Sequence, residues 1–236
     1  MKKLFAVCTT ICLVAGLFLN LACKKSPTPS EAPPSVPVAE GQKAQAVGTA
    51  DTAPTEKCTY STDPKTIKLE WTAYKFTDKT PVKGGFRTTA IQGFPSGDSL
   101  ADLAKKLRMD IDGASIESGD PGRNVTVKDF FFNELNPPFK MAAVVKDLQG
   151  TDTQGNLMIE IDMNGVTKEV PFEYTATPEG AITAKGGINL MNWNLKKAFD
   201  SIHSACEELH TGPDGISKTW DVVDLQITGN FSKTCQ

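Results

Sequence analysis

The sequence predicts a mainly β domain: a barrel or sandwich of seven or eight antiparallel strands with two short helices. Three observations predict it. From Cys58 onward, apolar and polar residues alternate with period two over most of the chain. An Asn164-Gly165 pair sits between two such stretches, and both residues tolerate the positive φ of a two-residue hairpin turn. Helical spacing of apolar residues interrupts the alternation at 99–106 and 195–209.

A different kind of segment precedes that domain. Lys2 and Lys3 lead into an uncharged apolar run over 4–19, and the small residue Ala22 stands directly before Cys23. Positive, apolar and small segments in that order make a secretory signal rather than a fold element. The run is also short of the ~20 residues a membrane-crossing helix needs. Residues 1–22 are therefore expected to be a lipoprotein signal peptide, with Cys23 the lipid-modified start of the mature chain. Asn20 stands where such signals usually carry Leu, so an ordinary secretory signal or an uncleaved anchor stays open. Acyl chains would hold the chain at a membrane, each buried methylene contributing about 0.8 kcal/mol. Lys24 and Lys25 follow the cysteine in place of an Asp that resembles an inner-membrane retention signal. The expected location is thus the cell envelope, at the outer membrane rather than the inner, with the periplasmic or surface face open.

Residues 23–57 form the next unit. No aromatic residue occurs between Lys24 and Lys57, and Pro27, Pro29, Pro33, Pro34 and Pro37 favour extended backbone. Such a stretch buries too little apolar surface to offset its ordering entropy, so a disordered tether is expected. Residues 58–236 then form one domain. The formal charge is -3 with no basic block, which leaves nothing to favour nucleic acid.

The strands are expected at 67–76, 82–91, 107–112, 140–147, 157–163, 166–174, 181–190 and 224–231. The last shows the pattern clearly: Leu225, Ile227, Gly229 and Phe231 alternate with Asp224, Gln226, Thr228 and Asn230. The first helix carries Leu100, Leu103, Ala104 and Leu107 on one face, and the second carries Ala198, Ile202, Ala205 and Leu209. Gly212-Pro213-Asp214-Gly215 ends the second helix.

Several of these elements resemble one family in order. The stretch 67–76 with Gly84-Gly85-Phe86 resembles the opening strands of YceI-like proteins. Ile111-Asp112-Gly113-Ala114-Ser115-Ile116-Glu117-Ser118-Gly119 is similar to their Asp-x-x-Ser-Ile-x-Thr-Gly element. Pro121-Gly122-Arg123-Asn124 through Asp129-Phe130-Phe131 resembles their Arg-Asp…Phe-Phe element. Gly165-Val166-Thr167-Lys168 resembles their hairpin, and Gly187-Ile188-Asn189 their late strand. The resemblance covers about residues 65–230. It implies an eight-stranded antiparallel lipocalin-like barrel, and a polyisoprenoid chain in its lumen, as some members bind. The chain departs from the pattern in three places. Trp71-Thr72-Ala73-Tyr74 replaces an Asp-x-x-His-Ser element, Leu190 replaces an Arg, and 200–215 is an elaboration of part of the family.

Alternation directs Met109, Ile111, Met141, Ala143, Val145, Leu157, Ile159, Ile161, Phe172, Ile182, Ala184 and Ile188 inward. An eight-stranded barrel lined by them either packs solid or holds one slender apolar ligand such as a polyprenyl or quinone lipid. Phe130-Phe131-Phe132 and Trp193 are candidate mouth residues, with core packing as the alternative. The expected partners are a hydrophobic small molecule and the membrane through the anchor, without a further cofactor, and a dimer stays open. His203, Cys206 and His210, spaced i, i+3 and i+7 on one helix, are the rival metal-binding set. No Gly-x-Ser-x-Gly or His-Glu-x-x-His motif occurs, so no enzyme is expected. Cys8 and Cys12 lie in the signal, which leaves Cys58, Cys206 and Cys235 as thiols of the domain. Barrel closure brings the first strand beside the last, favouring a Cys58–Cys235 disulfide, with Cys206–Cys235 as the competitor.

Overall fold

The computed structural model describes residues 56–93 and 95–236. The expected signal peptide at 1–22, Cys23 and all of the tether but Glu56 and Lys57 lie outside the described residues.

The period-two stretches all form strands. In chain order these are β1 (Cys58–Thr62), β2 (Lys68–Lys75), β3 (Thr80–Phe86), β4 (Thr89–Ile91), β5 (Ser96–Gly97), β6 (Arg108–Asp112), β7 (Ile116–Glu117), β8 (Lys140–Gly150), β9 (Gln154–Met163), β10 (Val166–Ala176), β11 (Ala181–Asn189) and β12 (Val222–Cys235). Three helices accompany them: α1 (Leu100–Lys105), α2 (Pro121–Phe130) and α3 (Lys196–Ala205).

Hydrogen bonding orders the strands β4-β6-β8-β9-β10-β11-β12-β2-β3-β7, antiparallel throughout. The two ends of that path meet. β4 continues β3 and β7 continues β6, so Phe86 pairs with Ile116 and Thr89 with Ile111 along one seam. Between them the Arg87 amide donates to the Ser115 carbonyl at 2.9 Å, and the Asp112 amide to the Thr88 carbonyl at 3.4 Å. β1 and β2 likewise form one broken strand along β12, with Thr62 opposite Phe231 and Lys68 opposite Thr228. The result is an eight-stranded antiparallel barrel, closed so that no long edge is left unpaired.

One helix goes beyond the two that the apolar spacing predicts: α2. Its apolar residues Val125, Val127 and Phe130 do not form a single stripe, so period gives no signal. Its start is set by capping instead. The Asp120 carboxylate accepts from the Arg123 amide at 3.0 Å, and Pro121 supplies the fixed φ of a first helical position.

One end of the barrel is filled. Tyr60 and Phe231 pack with ring centroids 6.1 Å apart, and Leu148, Leu157, Tyr174 and Ala184 are buried beside the same strand ends. The Tyr174 hydroxyl donates to the Thr151 carbonyl at 2.6 Å, and α1 buries Leu100, Leu103 and Ala104 against β8 and β5. A Cys58–Cys235 disulfide lies at this end, with Lys57 and Gln236 exchanging backbone hydrogen bonds just beyond it. Cys206 is free and buried, so the competing Cys206–Cys235 pairing is not formed.

The two bridged cysteines are 177 residues apart, which makes the disulfide a strong restraint on the unfolded chain. A Cys58→Ser, Cys235→Ser variant is expected to lose roughly 4–5 kcal/mol of stability. Urea midpoints of the two proteins measure this; equal midpoints would show that the strand pairing alone holds the end shut.

Candidate functional site

The other half of the barrel is hollow. A cavity of about 670 Å³ runs from the middle of the barrel to the end covered by α2 and α3. Eleven residues expected to face a ligand line it: Met109, Ile111, Phe131, Phe132, Met141, Ala143, Val145, Ile159, Ile161, Phe172 and Ile188. The wall is completed by residues the expected set lacks, among them Leu69, Trp71 and Val82 on β2 and β3 and Val223, Leu225 and Ile227 on β12. The alternation of β12 already signalled Leu225 and Ile227.

Five expected residues lie elsewhere. Ile182 and Ala184 pair with Ala176 and Tyr174 and are absent from the cavity lining. Leu157 is directed inward but sits low, paired with Leu148 and Phe172, where it fills the closed end. Trp193 is 1% exposed, and its ring nitrogen donates to the Ile161 carbonyl at 3.1 Å, so it packs on the barrel rather than lining the lumen. Phe130 ends α2 with its ring 45% exposed. Phe131 and Phe132 turn inward instead: they meet edge to face at 5.2 Å, and Phe132 meets Phe86 at 5.8 Å. Helical backbone through Phe130 separates that ring from the next two, a distinction strand-based alternation misses.

Large aromatics line this cavity without filling it because they lie across glycines. Phe172 opposes Gly186, and a Cβ there would stand 2.8 Å from the Phe172 ring. Trp71 opposes Gly84 in the same manner, with its ring nitrogen donating to the Gly85 carbonyl at 3.3 Å.

The covered end is polar. Asn124 fastens α2 to β7: its carbonyl oxygen accepts from the Ser118 amide and hydroxyl at 2.9 and 2.6 Å, and its amide donates to Glu117 at 3.0 Å. Arg123 donates to the Ser118 hydroxyl and carbonyl, both at 2.9 Å. The Asn124 hydrogen bond, followed by the Gly119 amide, holds the Glu117 carboxyl below its usual range. Opposite α2, the mouth is formed by Phe199, Ile202, Cys206, Leu209 and His210, with Tyr74, Lys75, Thr219 and Trp220 beside them. The Trp220 ring donates to the Phe76 carbonyl at 2.7 Å, and the Tyr74 hydroxyl donates to Asp224.

His203, Cys206 and His210 do not form a metal centre. α3 stops at Ala205 and a separate 3-10 turn carries His210, so the expected single helical face does not exist. Both histidines instead direct Nδ1 at the Thr219 hydroxyl, at 3.0 and 2.7 Å. Among the described residues, ligand atoms converge only at Glu56, Cys58 and Cys235, where the sulfurs are bonded to each other. Burial pushes the Cys206 thiol up, which keeps it protonated.

An eight-stranded barrel with one end packed, one end capped by helices and an apolar hollow between defines a binding-protein architecture of the lipocalin type. The YceI-like domain model matches residues 60–231, and the chain belongs to that family. No curated protein sequence matches it significantly. Among solved structures, it is similar to a polyisoprenoid binding domain from Saccharophagus degradans implicated in plant cell wall breakdown. That likeness has a TM-score of 0.51 and 14% identity, over 74% of this chain and 98% of the other. It is also similar to BcnA of Burkholderia cenocepacia, with a TM-score of 0.50 and 18% identity over 72% and 99% of the two chains.

Burial, then Lys75 and His203, depress the His210 pKa below its ordinary 6.5. The unfolded chain therefore binds this proton more readily than the fold does, and stability is lost as pH falls below about 6.5. A His210→Gln variant is expected to show a flatter melting-temperature profile between pH 7 and 5. Losses from carboxylates with lowered pKa, such as Glu117, belong to a lower window near and below pH 4.5. Parallel profiles for the two proteins through pH 6.5 would remove His210 as the cause.

Proposed function

We propose that this protein is a membrane-anchored envelope lipoprotein that binds or carries a hydrophobic, polyisoprenoid-type ligand in its barrel. The hollow, apolar half of the barrel carries this reading. Its 670 Å³ lies within the ~300–1,000 Å³ of small-molecule sites and exceeds the voids of a close-packed core. A wall of Met, Ile, Val and Phe offers no directed hydrogen bonds, which suits a chain of repeated apolar units. Each methylene moved from water into it contributes about 0.8 kcal/mol. Met109, Met141 and Met163 adapt to irregular contacts. The closed end sets a stop for the tail, and the polar rim leaves a place for a head group. The competing architecture, a barrel packed solid by its own side chains, does not account for a hollow of this size.

Anchoring rests on the N-terminal sequence. An apolar run followed by Ala22-Cys23 supports lipidation, and Cys23 is followed by a proline-rich stretch up to the domain. The carrier would then exchange ligand at a membrane it never leaves.

Native mass spectrometry of the detergent-free protein, expressed in a host with polyprenyl lipids, is expected to show a bound prenyl or quinone mass. An Ala143→Phe variant fills the lumen and is expected to lose that mass while keeping its far-ultraviolet spectrum. A clean apo mass for the unaltered protein, unchanged by added prenyl lipid, would end the carrier reading. Labelled palmitate is expected to enter the protein and to disappear from a Cys23→Ser variant, which should partition into the soluble fraction. Label retained by that variant would remove Cys23 as the anchor site.

A further inference from the structure

We propose that the mouth holds a head-group site for an oxyanion, built from Lys75, His210 and Thr219, so that the lumen prefers amphiphiles with a phosphate- or carboxylate-type head over neutral ones. The proposal rests on the carrier reading and specifies the chemistry at the open end of the same cavity.

The first observation is which charges are already committed. Among the residues lining the cavity, Asp120 is the only carboxylate, and it caps α2 by accepting from the Arg123 amide at 3.0 Å. The Arg123 guanidinium is taken up by Ser118 through two hydrogen bonds of 2.9 Å. Lys75 differs from both. It is half-buried, lines the cavity and forms no salt bridge with any described carboxylate. Its ammonium stands 4.5 Å from the centre of the Phe76 ring. An ammonium at the rim of an apolar lumen, without a carboxylate partner, is stabilised by an anion that arrives with a ligand.

The second observation is what stands beside it. Lys75 and Thr219 are directly opposed in an antiparallel bridge, which puts their side chains on the same face. The Thr219 hydroxyl is shared by the Nδ1 atoms of His203 and His210. One hydroxyl proton can satisfy only one accepting nitrogen, so at least one imidazole donates to Thr219, and the Nε2 of each ring is left for other partners. His210 lines the cavity directly. Protonated at both nitrogens, His210 donates Nδ1–H to Thr219 and keeps Nε2–H for the cavity, so an ammonium and an imidazolium positioned by Thr219 stand at one end of an apolar tunnel, a pair that matches an oxyanion and offers little to a hydrocarbon.

The titratable groups around His210 support the same sign. Lys75 comes from β2, His203 and Cys206 from α3 and its C-terminal cap, Lys218 from the returning segment, and Asp120 and Arg123 from the start of α2 across the cavity. Glu207 and Glu208 neighbour it in sequence but are exposed to solvent. Burial and the positive neighbours together depress the His210 pKa. An oxyanion at this point would reverse that pressure, so binding is expected to strengthen as pH falls toward 6.

The test compares two probes with one tail, farnesyl monophosphate and farnesol, titrated into the full-length protein by tryptophan fluorescence. Farnesyl monophosphate is expected to bind at least about tenfold more tightly, a gap that widens from pH 8 to pH 6. In Lys75→Gln the ratio of the two affinities should fall toward one, and in Lys75→Arg it should persist, provided both variants melt as cooperatively as the parent. Equal binding of the two probes by the parent protein, or a ratio unmoved in Lys75→Gln, overturns the head-group site while leaving the carrier reading intact. Inorganic phosphate that binds as tightly as farnesyl monophosphate also overturns it, because the tail would then contribute nothing. Failure of both prenyl probes to bind overturns the carrier reading itself.

Discussion

Aromatic rings laid across glycines are what keep this barrel hollow. In a barrel of eight strands the interior is narrow enough for ordinary side chains to fill it. Trp71 and Phe172 are among the bulkiest residues lining it, and each would cross the lumen if its partner strand carried a side chain opposite it. Gly84 and Gly186 remove that side chain, and the rings lean sideways onto bare backbone. The burial of two large aromatic surfaces is retained, yet their volume is taken out of the centre. The rest of the site follows from this displacement: methionine and isoleucine face one another across a gap, and the polar groups collect where the gap meets solvent.

Much of this was legible in the sequence, for a definite physical reason. Period-two alternation reports which face of a strand is wet, and in a closed barrel every strand has one wet and one dry face. That is why the strand set and most of the wall residues could be read from the chain alone, and why barrel closure placed Cys58 beside Cys235. The same reasoning could not see α2, whose existence depends on Asp120 and Pro121 rather than on an apolar stripe. It also misplaced Leu157, because alternation fixes the direction of a side chain but not its height along the barrel axis, whereas Trp193, outside any strand, took the packing alternative. The histidines illustrate a further limit. Spacing on an assumed continuous helix put three ligand atoms together, whereas a break at Cys206 turns His210 toward Thr219 instead.

The family-like sequence elements also acquire a structural meaning. Ser118, Arg123 and Asn124 bond to one another, and Asn124 to Glu117, pinning a helix across the mouth. The segment between α3 and β12 faces that helix. It contributes His210 and Thr219 to the lining of the cavity. The mouth is therefore framed by α2 on one side and by this segment on the other.

The position of β12 carries a consequence for how the chain matures. It follows every other described element in the chain, yet it pairs with β11 on one side and with both β1 and β2 on the other. Until it arrives, the sheet is an open ribbon with β11 exposing one edge and β2 the other, each a template for pairing with foreign strands. The first and last strands are also the most distant in sequence, so the loop they close is among the slowest contacts the chain can make. A molecule interrupted anywhere before Val222 would therefore be an aggregation hazard rather than a smaller barrel. Quality control of this protein amounts to waiting for the fourteen residues of β12.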